Sequence, residues 1–323
     1  MLSLPAALCL FATGCERHAK SETYYLIANN LGVPYWKTVV SGFDRAATAY
    51  GVTDQVDGPN NYDVQAELQA LTKAVAAKPA GILISVSDPV VLEPQIDSAI
   101  EAGIPVVTVD SDAPGIHRLF FVGTNNLEAG RLGGQRAVEK LGDKGNVVFF
   151  SMPGQPNLDE RLKGYQDVFS AHPGVKVIDV INIKGDSGNA FDRAQQYLAE
   201  TGPKKIDAFI CLESSSAKDV AEALKRQNAT DRLLIAMDVD QDTLNLIKAG
   251  VIEATVAQKP YTMGYYGLIS LDEVHHYPPK SLQADFSSDS FSPYPEFVDT
   301  GTALVDKSNV DSYIRSAAEA QKK

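Results

Sequence analysis

The chain reads as an α/β protein of two lobes, each built on a mainly parallel sheet, and three observations lead there. From Tyr24 onward, short apolar runs alternate with stretches of helical period, the pattern of βαβ units. At 323 residues the chain exceeds the usual size of one compact core, so two domains are expected. Two apolar strands each run into an aspartate doublet, Asp110-Ser111-Asp112 and Asp238-Val239-Asp240, as if one βα plan were used twice.

Taken in order, residues 24–28 form the first expected strand. Pro34 opens a helix that sets Trp36, Val39, Val40 and Phe43 on one stripe, because proline suits a first helical turn. Residues 64–77 read as a helix, 81–85 as a fully buried strand, 91–102 as a helix, 105–109 as the strand before the first aspartates, and 120–122 as a short strand. The pattern then restarts with a helix over 127–141 that carries glycines on one face. Strands are expected at 146–150, 175–181, 208–212, 233–237 and 254–257, and helices at 158–170, 190–199, 217–226, 243–248 and 262–275. Residues 278–295 are irregular, 297–305 extended and 310–320 helical, so the chain is expected to return across the junction and end on the second lobe. Composition is steady through Thr124-Asn125-Asn126, which reads as a short hinge crossed by extended chain. The implied division is 1–22 as signal and tether, 23–124 plus 259–295 as the first lobe, and 125–258 plus 296–323 as the second.

Residues 2–12 are almost wholly apolar, too short a run to span a bilayer, and match a secretory hydrophobic region. Ala12-Thr13-Gly14-Cys15 resembles a bacterial lipobox, which implies an acylated Cys15 holding the domain at a membrane surface through several acyl chains. An ordinary secretion signal or a buried first helix is the competing reading. Either secreted reading places the protein outside the cytoplasm, in the periplasm or on the cell surface. Residues 16–22 are polar and read as a tether.

The net charge of −12, from 41 acidic and 29 basic side chains, repels a phosphate backbone, so nucleic acid is excluded as a partner. Cys9, Cys15 and Cys211 form no disulfide framework, and Cys211 reads as a small buried thiol. No nucleophile elbow, zinc-protease helix, phosphate-binding loop or Cys-x-x-Cys is present, so no enzyme or cofactor is expected. Asp238, Asp240 and Asp242 have calcium-loop spacing, but Thr243 and Ala249 stand where that loop needs glycine and glutamate, and no metal is expected there. His275-His276 reads as capping a helix end, and His18, His117 and His172 are scattered.

In open α/β sheets ligands sit at the carboxyl ends of the strands, because helices cover both faces. Asp110 and Asp238, the first residues beyond their apolar runs, are therefore the site candidates, while Asp112 and Asp240 read as helix caps. Tyr35 and Trp36 point about 100° apart on a helix, so both cannot occupy one core stripe and at least one faces the cleft.

The layout resembles the periplasmic sugar-binding proteins of the ribose-binding type, the type I periplasmic binding fold that serves ABC importers. The phrases that carry the resemblance are Pro34-Tyr35-Trp36, Gly103-Ile104-Pro105-Val106-Val107 through Asp110, Gly123-Thr124-Asn125-Asn126, Arg161 before Gly164-Tyr165, Ala236-Met237-Asp238, and Ala254-Thr255-Val256-Ala257-Gln258. The resemblance implies two Rossmann-like lobes joined by a three-segment hinge, closing on a monosaccharide or polyol for an ABC permease and its ATPase, as a monomer. The family's sugar contacts fall on Asn29, Tyr35, Trp36, Asp110, Arg161, Asp238 and Gln258. These residues suit a sugar on chemical grounds too. Aromatic plates match its C–H faces, and carboxylate, amide and guanidinium groups match its hydroxyl rim. Arg161 also has a surface ion-pair reading within Asp159-Glu160-Arg161.

The chain departs from ribose binders at Val33, Ser111 and Glu213, which stand where they carry asparagine, arginine and an amide. Ribose itself is thus disfavoured. Glu213 has two readings, an acid in the cleft or the start of the following helix. With Asp110, Glu213 and Asp238 facing Arg161 alone, the cleft would be acidic and suit a polyol or an amino sugar. The alternatives are a binding protein for a histidine kinase or chemoreceptor and, from another class, a secreted sugar-modifying enzyme.

Overall fold

The computed structural model describes residues 18–284, 286 and 289–320. Cys9 and Cys15 lie outside them. The first half of the chain forms β1 (Thr23–Ile27), α1 (Pro34–Tyr50), β2 (Thr53–Asp57), α2 (Val64–Ala76), β3 (Gly81–Ile84), α3 (Pro89–Glu101), β4 (Val106–Val109) and β5 (Phe121–Gly123). After the first crossing come α4 (Asn126–Leu141), β6 (Lys144–Ser151), α5 (Pro156–Ser170), β7 (Gly174–Asn182), α6 (Ser187–Leu198), β8 (Ala208–Cys211), α7 (Ala217–Arg226), β9 (Leu233–Met237), α8 (Gln241–Lys248) and β10 (Ala254–Ala257). The chain then adds α9 (Pro260–His276), β11 (Phe297–Asp299), β12 (Ala303–Asp306) and α10 (Val310–Ala320).

The strands make two six-stranded sheets, ordered β11-β5-β4-β3-β1-β2 and β12-β10-β9-β8-β6-β7. Both wind alike: β1 to β5 and β6 to β10 occupy matching places, and only β12 runs antiparallel to its neighbour. Inner strands such as β3, β4, β8 and β10 are buried at every position, as strands covered by helices on both faces must be. Apolar clusters on both faces of each sheet supply the core: Tyr24, Phe43 and Leu268 on one face of the first sheet, Ile82, Leu92 and Ile96 on the other. In the second sheet Phe150, Phe209 and Val220 lie on one side, Phe149, Tyr165 and Phe169 on the other.

Two elements differ from the sequence reading. β2, with the sequence Thr-Asp-Gln-Val-Asp, has no apolar alternation because it is an edge strand, half-exposed along its length. The stretch 297–305 is not one strand of the second lobe: β11 pairs in parallel with β5 of the first sheet, and only β12 pairs with β10 of the second. Residues 297–299 therefore belong with the first sheet, and the third crossing lies at 300–302.

Three crossings join the sheets, and short hydrogen bonds stitch them together. Thr124 Oγ1 donates to Gln258 Oε1 at 2.8 Å, Thr300 N to Gly123 O at 2.8 Å, and Thr302 Oγ1 to Ala257 O at 2.8 Å. Helix pairs meet where glycines remove side chains. A Cβ on Gly130 of α4 would lie 2.1 Å from Arg161 O, and one on Gly164 of α5 would lie 2.2 Å from Leu127 O. The glycine face of α4 is thus the surface against which α5 sits. Among the described residues no helix is long and apolar enough to cross a membrane.

Candidate functional site

The two aspartates legible in the sequence occupy matching places. Asp110 follows β4 and donates its N–H to Val122 O of the next strand at 3.2 Å; Asp238 follows β9 and donates to Val256 O at 2.9 Å. Both adopt the left-handed conformation, with φ of 64° and 70°, which aspartate tolerates better than most residues and which turns each side chain off the strand end. Both side chains are buried, one from each sheet, and both line a single cleft of about 520 Å³ counted out to the solvent at its mouth. That size suits a small organic molecule.

Asn29, Tyr35, Trp36, Arg161, Glu213 and Gln258 line the same cleft. The first turn of α1 supplies the aromatic pair, whose rings meet edge to face at 5.7 Å. Trp36 is nearly buried and packs into the first core with one edge on the cleft, and its Nε1 donates to Asn29 Oδ1 at 3.0 Å. The Tyr35 hydroxyl donates to Asp110 Oδ1 at 2.8 Å. Asp110 Oδ2 accepts from Ser85 Oγ at 3.2 Å and, across the gap, from Asn157 Nδ2 at 3.3 Å.

Among the described residues Arg161 makes no surface ion pair. It is buried, donating Nε to Asn126 Oδ1 at 2.9 Å, one terminal nitrogen to Leu212 O at 2.9 Å and the other to Gln258 Oε1 at 3.0 Å. Gln258 Nε2 in turn donates to Asp238 Oδ1 at 2.8 Å. No described residue donates to Asp238 Oδ2, so that oxygen is free to accept from a guest. Burial pushes the Asp238 carboxyl up to about 7, against the opposing pull of Arg161 and the Gln258 amide, with Asp110 and Asp240 adding to the rise. Burial also raises Asp110, though Arg161, Tyr35 and Ser85 hold it down.

The remaining acids divide. Glu213 faces the cleft and does not start the following helix, which begins at Ala217; it holds the turn before it, accepting from the N–H groups of Ser215 and Ser216 at 2.5 and 3.0 Å and from both hydroxyls. Asp240 caps α8 through Asp242 N and Thr243 N. Asp112 is not a cap: it pairs bidentately with Arg118 at 2.7 and 2.6 Å and accepts from Thr108 Oγ1. Ser111 is buried and absent from the cleft lining, whereas Val33 is part of it. Cys211 is buried in β8, and burial pushes its thiol well above the ordinary range.

Sequence reasoning missed Tyr62, Gln155, Asn157 and Gly185, all on the cleft wall. Asn157 precedes Arg161 by four residues on α5, one helical turn on the same face, which is the one signal that pointed to it. Gln155 Oε1 is buried and has no hydrogen-bond partner. Gly185, at φ +72°, comes so close to Tyr62 that an added Cβ would lie 2.4 Å from the Tyr62 Cβ.

Two equivalent sheets, three stitched crossings and a polar cleft at the strand ends define a periplasmic-binding-protein architecture. The chain belongs to the periplasmic binding protein domain family, which it matches over residues 24–274. It is similar to a sugar ABC transporter sugar-binding protein from Bacillus halodurans, at 36% identity and TM-score 0.77, over 90% of this chain and 99% of that one. It is likewise similar to AraP, an arabinose-binding protein from Geobacillus stearothermophilus, at 34% identity and TM-score 0.73, over 90% and 99%. The D-allose-binding periplasmic protein of Escherichia coli is 26% identical over 76% of this chain and 82% of its own length.

Proposed function

We propose that this protein is the extracytoplasmic sugar-binding component of an ABC importer, capturing a monosaccharide or polyol in the cleft and delivering it to a permease and its ATPase. The observation that carries this reading is the convergence of Asp110 and Asp238, equivalent residues of two sheets, on one cleft that also holds an aromatic pair and a buried guanidinium. The sugar-binding relatives, matched over nearly their whole length, support it.

In this reading Asp238 Oδ2 and Gln155 Oε1 accept sugar hydroxyls, Arg161 and Asn29 donate to hydroxyl or ring oxygens, and Tyr35 and Trp36 flank the ring. Each charge-assisted bond formed away from water contributes roughly 1.5–3 kcal/mol. The lobes, 23–124 with 259–299 and 125–258 with 303–320, rotate about the three crossings, and a ligand that touches both stabilises the closed form by its differential affinity. Acylated Cys15 would hold the domain at the membrane, and Cys15→Ala would release it to the soluble fraction.

Trp36 is the chain's one tryptophan, so a thermal-shift screen of pentoses, hexoses and polyols followed by fluorescence titration tests the reading directly. The expected outcome is a saturable change of Trp36 emission with one sugar class. Arg161→Ala and Asp238→Ala each abolish it, a loss of about tenfold or more in affinity, while far-UV circular dichroism stays native. Silence across the whole library, or a response untouched by both substitutions, would refute it.

A further inference from the structure

Beside the start of β1, at the end of that strand away from the cleft, four side chains far apart in the sequence meet. We propose that His18, Glu22, Asp272 and His276 form a binding site for one divalent transition-metal ion, with zinc the ion that best fits the donor set. One ligand atom from each residue lies within 4.8 Å of all the others. Zinc takes imidazole nitrogen and carboxylate oxygen at about 2.0–2.2 Å in a tetrahedron, which puts neighbouring ligand atoms about 3.3–3.5 Å apart. The separations here are 3.2 Å from His18 Nδ1 to Asp272 Oδ1, 3.3 Å from His276 Nε2 to Glu22 Oε2, and 3.6 Å from His276 Nε2 to Asp272 Oδ1.

Hydrogen bonding alone leaves this cluster incomplete. Among the described residues, Glu22 Oε2, Asp272 Oδ2 and His276 Nε2 are buried atoms without a hydrogen-bond partner, and Asp272 is 1% exposed. Two of them face each other at 3.3 Å without the geometry of a hydrogen bond. A cation between the four groups would give Glu22 Oε2 and His276 Nε2 the partner they lack and would neutralise two carboxylates. The surroundings hold the ligands in place. Asp272 and His276 stand one turn apart on α9, the Tyr24 hydroxyl donates to Asp272 Oδ1 at 3.1 Å, and the His18 ring packs edge-on against Tyr50 at 4.8 Å and His276 at 5.1 Å. Of the histidines that look scattered in the sequence, His18 alone is brought by the fold to His276, while His117 and His172 pair elsewhere with Asp97 and Asp143. A bound ion would staple residues 18–22, which lead out of the N-terminal segment, to the end of α9.

The test uses the full chain without a histidine tag, in mild detergent, stripped with EDTA and dialysed. Calorimetric titration with Zn²⁺ is expected to give one ion per chain with sub-micromolar affinity. Co²⁺ is expected to give the intense visible absorption of a four-coordinate site. His18→Gln and His276→Gln should each weaken Zn²⁺ binding at least tenfold and remove the Co²⁺ bands, while His117→Gln changes neither. Sugar-induced Trp36 fluorescence or, in its absence, circular dichroism shows that each variant is folded. Absence of saturable Zn²⁺ binding, a weak six-coordinate Co²⁺ spectrum, or affinity indifferent to both substitutions would overturn the proposal.

Discussion

Asp238 carries the sharpest consequence at the scale of one residue. In an unfolded chain its carboxyl titrates near about 3.9, whereas burial lifts it to about 7 in the fold. A folded value above the unfolded one means its stabilising contribution is complete below about pH 4 and lost as pH rises through about 7, at roughly 1.4 kcal/mol per pH unit. Glu67, buried and bonded to Ser87, is lifted to about 8 and adds a dependence of the same sign. Subtracting the Asp238→Asn melting curve from the wild-type curve between pH 5 and 8 should isolate the Asp238 part, and parallel curves would contradict it. Ligand binding should run the other way. Hydroxyls that donate to Asp238 favour its ionised form, so affinity should fall by up to about tenfold per unit as pH drops below 7. Titration of Trp36 fluorescence at pH 5.5, 6.5 and 7.5 checks this.

Between elements, α4 and α5 matter most, because their contact sets where Arg161 stands. Gly130→Ala would drive a methyl group into the Arg161 carbonyl, and overpacking of this kind costs about 1–3 kcal/mol. Chemical denaturation should show that loss together with weaker ligand binding, while Gln135→Ala on the exposed face of the same helix should stay within about 0.5 kcal/mol. The glycine stripe of α4 was legible in the sequence, as were the buried strands, because apolar runs of four or five residues bounded by turns report burial on both faces. β2 was not, since an edge strand that faces water needs no apolar pattern. The split of 297–305 was invisible for another reason: both pieces are extended, and only partner strands far away in sequence decide which sheet takes each. The same contrast holds for the site. Asp110 and Asp238 advertise themselves by following apolar strands, whereas Tyr62 and Gly185 meet across a gap that no local pattern records.

For the molecule as a whole, that contact offers a handle on closure. Gly185→Ala places a methyl group where Tyr62 sits, so the lobes should be unable to reach the arrangement seen here. Affinity should drop at least tenfold, and the ligand-induced fall in radius of gyration measured by small-angle X-ray scattering should vanish. Removing the obstacle, which is the Tyr62 Cβ itself, with Tyr62→Gly in the same chain should recover most of both. Failure of that rescue would mean that backbone strain at Gly185, and not the Tyr62 contact, limits the motion. Finally, the crossing strands impose a timetable on biogenesis. The first sheet lacks its β11 edge, and α1 lacks its partner α9, until nearly the entire polypeptide has emerged from the ribosome. A nascent chain halted after Ala257 therefore holds no finished half, and both sheets are completed only once the last fifth of the message has been read.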